Sequence, residues 1–436
     1  MNLKAYLLYF FSLFFVSCSS LFNSFSGNHF EKKNLSFHYG FIIADSSGQV
    51  LKSENAQNLF TPASVLKLYH LPHFLKLKND SGYLTTGFLV NHKYDSLQIS
   101  IYSKGDPLLK SHELDSIASL IKRDSIPVSS VTIYTAGYDT SEFWGNGWMW
   151  DDEPDDYQSY LNRFPVDENT VTLSYIRQNS IDKFSFDGIE LPVGFSNGQY
   201  QIKRIRTQNE ILISRPDSLV QTNKSKKIFS FRNPDSVIAG FISEKFHTQN
   251  VSFQFSALSA DPAFDYSIVH PFDSLMTRIL TYSSNFCSEQ SMRYSAIQSG
   301  LLGNIKNGLA LEKQNKAQIQ NRVVDGSGLS RYNLISPESV FKTIAGNFEI
   351  NRKWFALYSK NGTLRDRSEL NNRNITIYAK SGTMTGVQNL AGFVFSNNEL
   401  IGYVLLFSNN TVENKETRNR FEKEFLDYAV DLLEKN

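Results

Sequence analysis

Cysteine and net charge are the two things this 436-residue chain has least of: it carries two cysteines, and 44 basic residues against 43 acidic ones leave a net charge of +1. Two cysteines cannot form a disulfide framework, so stability has to come from packed cores. Balanced charge provides no global field for nucleic acid or an acidic surface, which leaves function to local sites. No fixed-period repeat and no low-complexity tract is present. What is present is ordinary globular composition, 41% hydrophobic and 20% charged, in a chain long enough for two or three domains.

The apolar run at residues 6–16 is too short to cross a bilayer as a helix and has the length of an export-signal core. It ends Phe15-Val16-Ser17-Cys18, which resembles a bacterial lipoprotein signal in which Cys18 becomes the lipidated first residue. The alternative is a plain secretory signal with an incidental cysteine. Residues 1–18 are therefore expected to be a signal and 19–34 a polar tether, with the protein exported to the periplasm or cell envelope and touching a membrane only through a lipid. Cys287, in an apolar helical context, reads as a small buried hydrophobe rather than a nucleophile.

Hydropathy patterning places a hairpin at residues 37–51, with its turn at Asp45-Ser46-Ser47-Gly48. Three more strands are expected near the other end, at 375–380, 387–395 and 400–407, followed by an amphipathic helix bearing Phe421, Phe425, Tyr428, Ala429, Leu432 and Leu433. Antiparallel strands at both termini with covering helices predict one α+β domain made from residues 35–81 and 261–436. Residues 82–260, with many short β-type runs between turn signals, read as an inserted strand-rich region, and the polar stretch 221–227 reads as a loop within it.

The chemistry is concentrated in three short motifs. In Thr61-Pro62-Ala63-Ser64-Val65-Leu66-Lys67 a helix is expected to start at Thr61 or Pro62, with Thr61 as a possible cap. The Ser64 N–H then lacks an intrahelical acceptor and lies at the positive end of the helix dipole, where an oxyanion is stabilised. Lys67, one turn on among Val65, Leu66 and Leu68, faces Ser64, and burial would lower its pKa until the neutral amine can take the serine proton. Alone, Ser-x-x-Lys does not distinguish this arrangement from a surface lysine beside an incidental serine. Downstream, however, stand Ser283-Ser284-Asn285 and Lys380-Ser381-Gly382. Ser-x-x-Lys, Ser-x-Asn and Lys-(Ser/Thr)-Gly in this order are the signature of penicillin-binding proteins and serine β-lactamases.

Further blocks narrow the resemblance. Asp325-Gly326-Ser327-Gly328-Leu329-Ser330-Arg331 with Asn333 and Ser336-Pro337, Gly362-Thr363-Leu364 with Arg367, and Lys380 to Thr383 running into Leu390-Ala391-Gly392 resemble the class C low-molecular-mass penicillin-binding proteins. So do Gly105-Asp106-Pro107 and Gly147-Trp148 with Trp150-Asp151-Asp152 in the insert, and the long gap between Ser64 and Ser283 suits that family's nested domains. The resemblance implies a transpeptidase-like α/β domain with inserts and a D-alanyl-D-alanine carboxypeptidase/endopeptidase activity on peptidoglycan peptides, blocked covalently by β-lactams.

By the same resemblance Ser64 is the nucleophile and Lys67 its base, Ser283 relays a proton and Asn285 holds the substrate backbone. Lys380 and Ser381 bind the terminal carboxylate, Gly382 admits the substrate strand, and the N–H groups of Ser64 and Thr383 form the oxyanion hole. No cofactor, metal or nucleic acid is implied. A serine β-lactamase and a catalytically silent wall-binding module remain as alternatives. Ser284 stands where many relatives have Asp, Ser381 where Thr is usual, and Pro72 is expected to kink or end the nucleophile helix. His70 and His73 read as packed or solvent-facing imidazoles rather than metal ligands. The Asp325 block reads as a glycine turn rather than a phosphate loop, and Trp144, Trp148 and Trp150 as structural residues of the insert.

Overall fold

The computed structural model describes residues 37–79, 82–178, 180–216, 223–256, 262–314, 320–345, 351–372 and 374–436; the signal, the tether and Cys18 lie outside them. The expected α+β architecture is observed. A six-stranded antiparallel sheet has the order Ala356–Leu357, Ile375–Met384, Val387–Ser396, Glu399–Asn409, His38–Asp45, Val50–Glu54, so the N-terminal hairpin completes a sheet begun by C-terminal strands. His38 to Asp45 pair with Asn409 to Gly402 in unbroken antiparallel register.

Helices bury both faces, which is why these strands read as continuous apolar runs rather than alternating ones. Phe41, Ile43, Leu390, Val404 and Leu406 pack under Phe425, Leu426 and Val430 of the Lys415–Leu433 helix. Their alternate neighbours Ile42, Ala391, Leu405 and Phe407 face Leu66, Leu71, Ile279 and Met292 on the helices of the opposite layer. Three of that layer's helices, Leu66–Phe74, Asn285–Gln298 and Pro337–Ile344, surround the catalytic motifs.

The inserted region is more than strands. A five-stranded mixed sheet, order Val251–Phe255, Val128–Thr135, Ser96–Ser103, Thr85–Lys93, Tyr266–Val269, shares one core with the helices Ser111–Ile121 and Pro234–Phe246. Two three-stranded sheets complete it: Val193–Asn197, Ile211–Arg215, Gln201–Arg204 and Asn223–Ser230, Thr170–Gln178, Ile181–Phe186. Two expectations change here. Tyr266–Val269 pairs with Thr85–Lys93, so the insert's sheet closes beyond residue 260, because Ile268 is buried against it. Most of the polar stretch 221–227 is strand rather than loop: its lysines lie along an edge strand, where water rather than a second face receives them.

Candidate active site

Ser64 sits in the single 3-10 turn Ala63–Val65, which passes directly into the Leu66–Phe74 helix. No side chain caps this start. Asn389 of the adjacent strand instead donates to the carbonyls of Thr61 and Pro62, each at 2.9 Å, and ties the turn to the sheet. Ala63 is held at φ 46°, a left-handed conformation that costs an L-residue about 1–2 kcal/mol. Two glycines make room for the strained turn. A Cβ at Gly328 would lie 2.0 Å from the Ala63 carbonyl oxygen, and one at Gly382 would lie 2.6 Å from that of Pro62.

The helix does not end at Pro72 but runs two residues past it. Proline costs one hydrogen bond there, and the burial of Leu68, Leu71 and Phe74 outweighs it. His70 and His73 are both buried; His70 Nδ1 lies 2.8 Å from Glu312 and His73 Nε2 lies 2.8 Å from Ser295 Oγ.

Lys67 is fully buried. Its Nζ reaches Ser64 Oγ at 2.9 Å, Asn285 Oδ1 at 2.7 Å and the Ser327 carbonyl at 2.6 Å. Burial lowers its pKa to about 7, against the opposing pull of the Asp325 and Glu289 carboxylates, so a large fraction is free amine at neutral pH.

The second motif joins two helices. Ser283, at φ 64°, reverses the chain after the Phe272–Leu280 helix, and Ser284 caps the next one, its Oγ accepting from the Cys287 N–H at 3.0 Å. Asn285 therefore opens the Asn285–Gln298 helix, with its Nδ2 donating to the Tyr157 carbonyl of the insert at 2.9 Å. Cys287 is buried and its thiol is pushed well up by desolvation, which suits a packing residue.

The third motif lies inside the Ile375–Met384 strand rather than at its end. The outer strand Ala356–Leu357 pairs only with Ala379 and Tyr378, so residues 380–384 form an open edge to which an extended peptide can add. Lys380 is buried; its Nζ donates to Ser283 Oγ at 2.8 Å and to the Ser381 carbonyl at 2.7 Å. Burial, with repulsion from Lys67, pushes its pKa well below the usual lysine range. Ser381 Oγ lies 2.7 Å from Thr363 Oγ1, and Thr383 is exposed on the same edge. Hydrogen bonds join Ser64 and Asn285 to Lys67 and join Ser283 and Ser381 to Lys380, and the two sets lie together in one cleft, close enough for the Lys67 charge to act on Lys380 and for Gly382 to touch the nucleophile turn.

The Asp325 block forms a tight turn against this cleft. Asp325 accepts from the N–H groups of Gly328 and Ser330, from Asn333 Nδ2, and from Trp148 Nε1 of the insert at 3.1 Å. Trp144 packs on Phe143 and Tyr160 as a structural residue. Trp150 does not: it is 66% exposed with the Arg206 guanidinium 4.3 Å over its ring. The charged neighbour supplies what a core would otherwise give it.

Four residues escape the sequence reading: Glu289, which accepts from the Gly326 and Ser327 N–H groups; Glu168, which holds Ser284; Tyr157; and Asn389. The only trace of Glu289 is a lone carboxylate in a helix buried from Phe286 to Ala296.

Residues 28–425 match the model of the D-Ala-D-Ala carboxypeptidase 3 (S13) family. The chain is 23% identical over 414 residues to D-alanyl-D-alanine carboxypeptidase DacB of Haemophilus influenzae, covering 87% of this chain and 85% of that protein. The fold is similar to the crystal structure of penicillin binding protein 4 (dacB) from Haemophilus influenzae, with TM-score 0.73 and 19% identity over 90% of this chain and 96% of that one. It is also similar to Bd3459, a predatory peptidoglycan endopeptidase from Bdellovibrio bacteriovorus, with TM-score 0.52 and 12% identity over 92% and 94% of the two chains. With the three motifs gathered in one cleft and a family match over nearly the whole described structure, the chain belongs to the D-Ala-D-Ala carboxypeptidase 3 (S13) family.

Proposed function

We propose that this serine D-Ala-D-Ala peptidase works through an acyl-enzyme on Ser64. The observation that carries the assignment is Lys67 Nζ, buried and 2.9 Å from Ser64 Oγ, where burial lowers its pKa to about 7, the range a general base requires. Neutral Lys67 takes the hydroxyl proton as Oγ attacks the carbonyl between the two terminal D-alanines of a peptidoglycan stem. The N–H groups of Ser64 and Thr383 receive the oxyanion, each such donor being worth about 3 kcal/mol in the transition state.

Ser283 passes a proton to the leaving amine. Lys380, Ser381 and Thr363 hold the terminal carboxylate, whose negative charge opposes the burial that lowers the Lys380 pKa. Asn285 positions the peptide backbone, and the open edge at 380–384 lets it lie as an added strand. Water then releases the acyl group. The same step on a cross-link, where the leaving amine belongs to a neighbouring stem, is an endopeptidase reaction.

Fluorescent penicillin tests the assignment. Wild type is expected to label and Ser64→Ala to remain dark. Equal labelling of both would refute it, and rapid release of the label would identify a β-lactamase. Export and a lipid on Cys18 are proposed from the signal pattern alone; Cys18→Ala is expected to move the protein from the membrane to the soluble fraction on fractionation.

A further inference from the structure

In chain order the five-stranded sheet of the insert begins with Thr85–Lys93 and ends with Tyr266–Val269. The residues just outside these strands, Leu84 and His270, are tied together, the His270 N–H donating to the Leu84 carbonyl at 3.0 Å. The His270 ring extends the knot: its Nδ1 donates to Asp106 Oδ2 at 2.6 Å and its Nε2 to Glu113 Oε1 at 3.0 Å. Each carboxylate has its other oxygen on a backbone N–H, Asp106 on that of Leu108 at 2.9 Å and Glu113 on that of Lys110 at 2.8 Å. Ionised carboxylates only accept, so both ring nitrogens carry protons and the imidazole is a cation. Burial works against that charge, but the hydrogen bonds to Asp106 and Glu113 outweigh it and raise the His270 pKa to about 10.

Asp106 is fully buried and belongs to the Gly105-Asp106-Pro107 motif, to which the peptidase reading gives no task. Gly105, at φ 86°, faces a second helix: its carbonyl accepts from Gln290 Nε2 at 3.4 Å, and a Cβ there would lie 2.8 Å from that nitrogen. Gln290 is in the Asn285–Gln298 helix, whereas His270 stands two residues before the Phe272–Leu280 helix. One turn of the insert is therefore bonded to the helix on one side of Ser283 and to the lead-in of the helix on the other. Leu275, Met276, Ile279 and Leu280 pack the Phe272–Leu280 helix into the core beside the cleft, so it moves as a unit. Beyond its far end Ser283 Oγ accepts from Lys380 Nζ at 2.8 Å, a bond that tolerates little displacement.

We infer that the Gly105-Asp106 turn positions Ser283 for proton transfer, Asp106 through His270 on one flanking helix and Gly105 through Gln290 on the other; the inference rests on the peptidase reading above. Asp106 and His270 are positioning residues, acting through a helix rather than on the substrate. A charged bridge suits the task because charge-assisted hydrogen bonds are shorter and roughly twice as strong as neutral ones. With its two carboxylates each fixed by a backbone N–H, the bridge has little freedom to adjust, and the start of the Phe272–Leu280 helix is set by the insert.

Stopped-flow acylation of the full chain by fluorescent penicillin, in which the β-lactam nitrogen is the leaving amine, reads this role. His270→Gln breaks the double bridge, and Asp106→Asn keeps its shape without the charge. Each is expected to lower the limiting acylation rate by about tenfold while the final amount of label per protein stays at the wild-type value. Less label at the wild-type rate is what a residue that only supports folding gives, and it would overturn the inference. Ser283→Ala is expected to lose about a hundredfold, and adding His270→Gln to it to cost little more, because a displaced hydroxyl and a missing one are the same defect. Losses that multiply in the double variant, or a wild-type rate in either His270→Gln or Asp106→Asn, would also overturn it. Wild type that fails to label would remove the peptidase reading and this inference with it, whereas multiplied losses in a labelling enzyme remove the positioning alone.

Discussion

Glu289 and Ser327 are joined through the peptide backbone: the Glu289 carboxylate accepts the Ser327 N–H at 2.7 Å, while the carbonyl of the same residue receives Lys67 Nζ at 2.6 Å. The base is thus positioned by a carboxylate to which it is not bonded. Burial and the neighbouring Asp325 push the Glu289 carboxyl well above the usual carboxylate range, so Glu289→Gln, which keeps the size and can still accept from these N–H groups, removes whatever part of the negative charge near Lys67 this residue carries beside that of Asp325. Acylation by penicillin is expected to fall by about tenfold and its acidic limb to move to lower pH. A limb that does not move would mean that Glu289 carries no charge in the active form.

The pH dependence of wild type follows from Lys67 itself. Burial favours the neutral amine, so the active form accumulates as pH rises through about 7. The acylation rate is expected to climb from pH 5 and level off above that value, and Lys67→Met to lose at least about a hundredfold. Stopped-flow acylation across pH reads both, and a rate that is flat between pH 5 and 8 would contradict the role.

Gly382 is where the third motif touches the nucleophile turn. An alanine Cβ there would stand 2.6 Å from the Pro62 carbonyl and 3.0 Å from the Val65 nitrogen, both backbone atoms that cannot step aside. Gly382→Ala is expected to destabilise by about 1–3 kcal/mol and to separate Ser64 from Lys380. Thermal melting and penicillin labelling together measure this; a normal labelling rate would show that the turn yields without consequence.

Ser284, the middle residue of the second motif, donates from Oγ to Glu168 Oε2 at 2.6 Å, and Glu168 also pairs with Arg278. Glu168 is the central member of three consecutive left-handed residues, Asp167 to Asn169, in the insert. Ser284→Asp would set two carboxylates together in a buried seam, and one would have to take up a proton. A loss of about 1–3 kcal/mol is expected at pH 8, shrinking as pH falls toward 5 because the raised carboxyl pKa lets protonation relieve the repulsion. Melting curves at the two pH values decide it: an equal loss at both would remove charge as the cause.

What the sequence by itself determined is local in nature. Period and turn chemistry were sufficient for the terminal strands, the Lys415–Leu433 helix and the apolar setting of Lys67, because these depend on neighbours a few residues away. The three motifs identified the reactive residues by type and order. Only tertiary structure decided how they are held. Asn389 braces the Ser64 turn, Glu289 positions the Ser327 carbonyl, and Glu168 and Trp148 lock the insert to the cleft, in contacts between residues far apart in the chain. No periodicity encodes such partners, because a buried polar group needs only one donor or acceptor of the right geometry, from anywhere in the fold. Pro72 and the strand at Asn223–Ser230 show the same limit: local preference argued for a helix end and a loop, and burial and strand pairing overrode it.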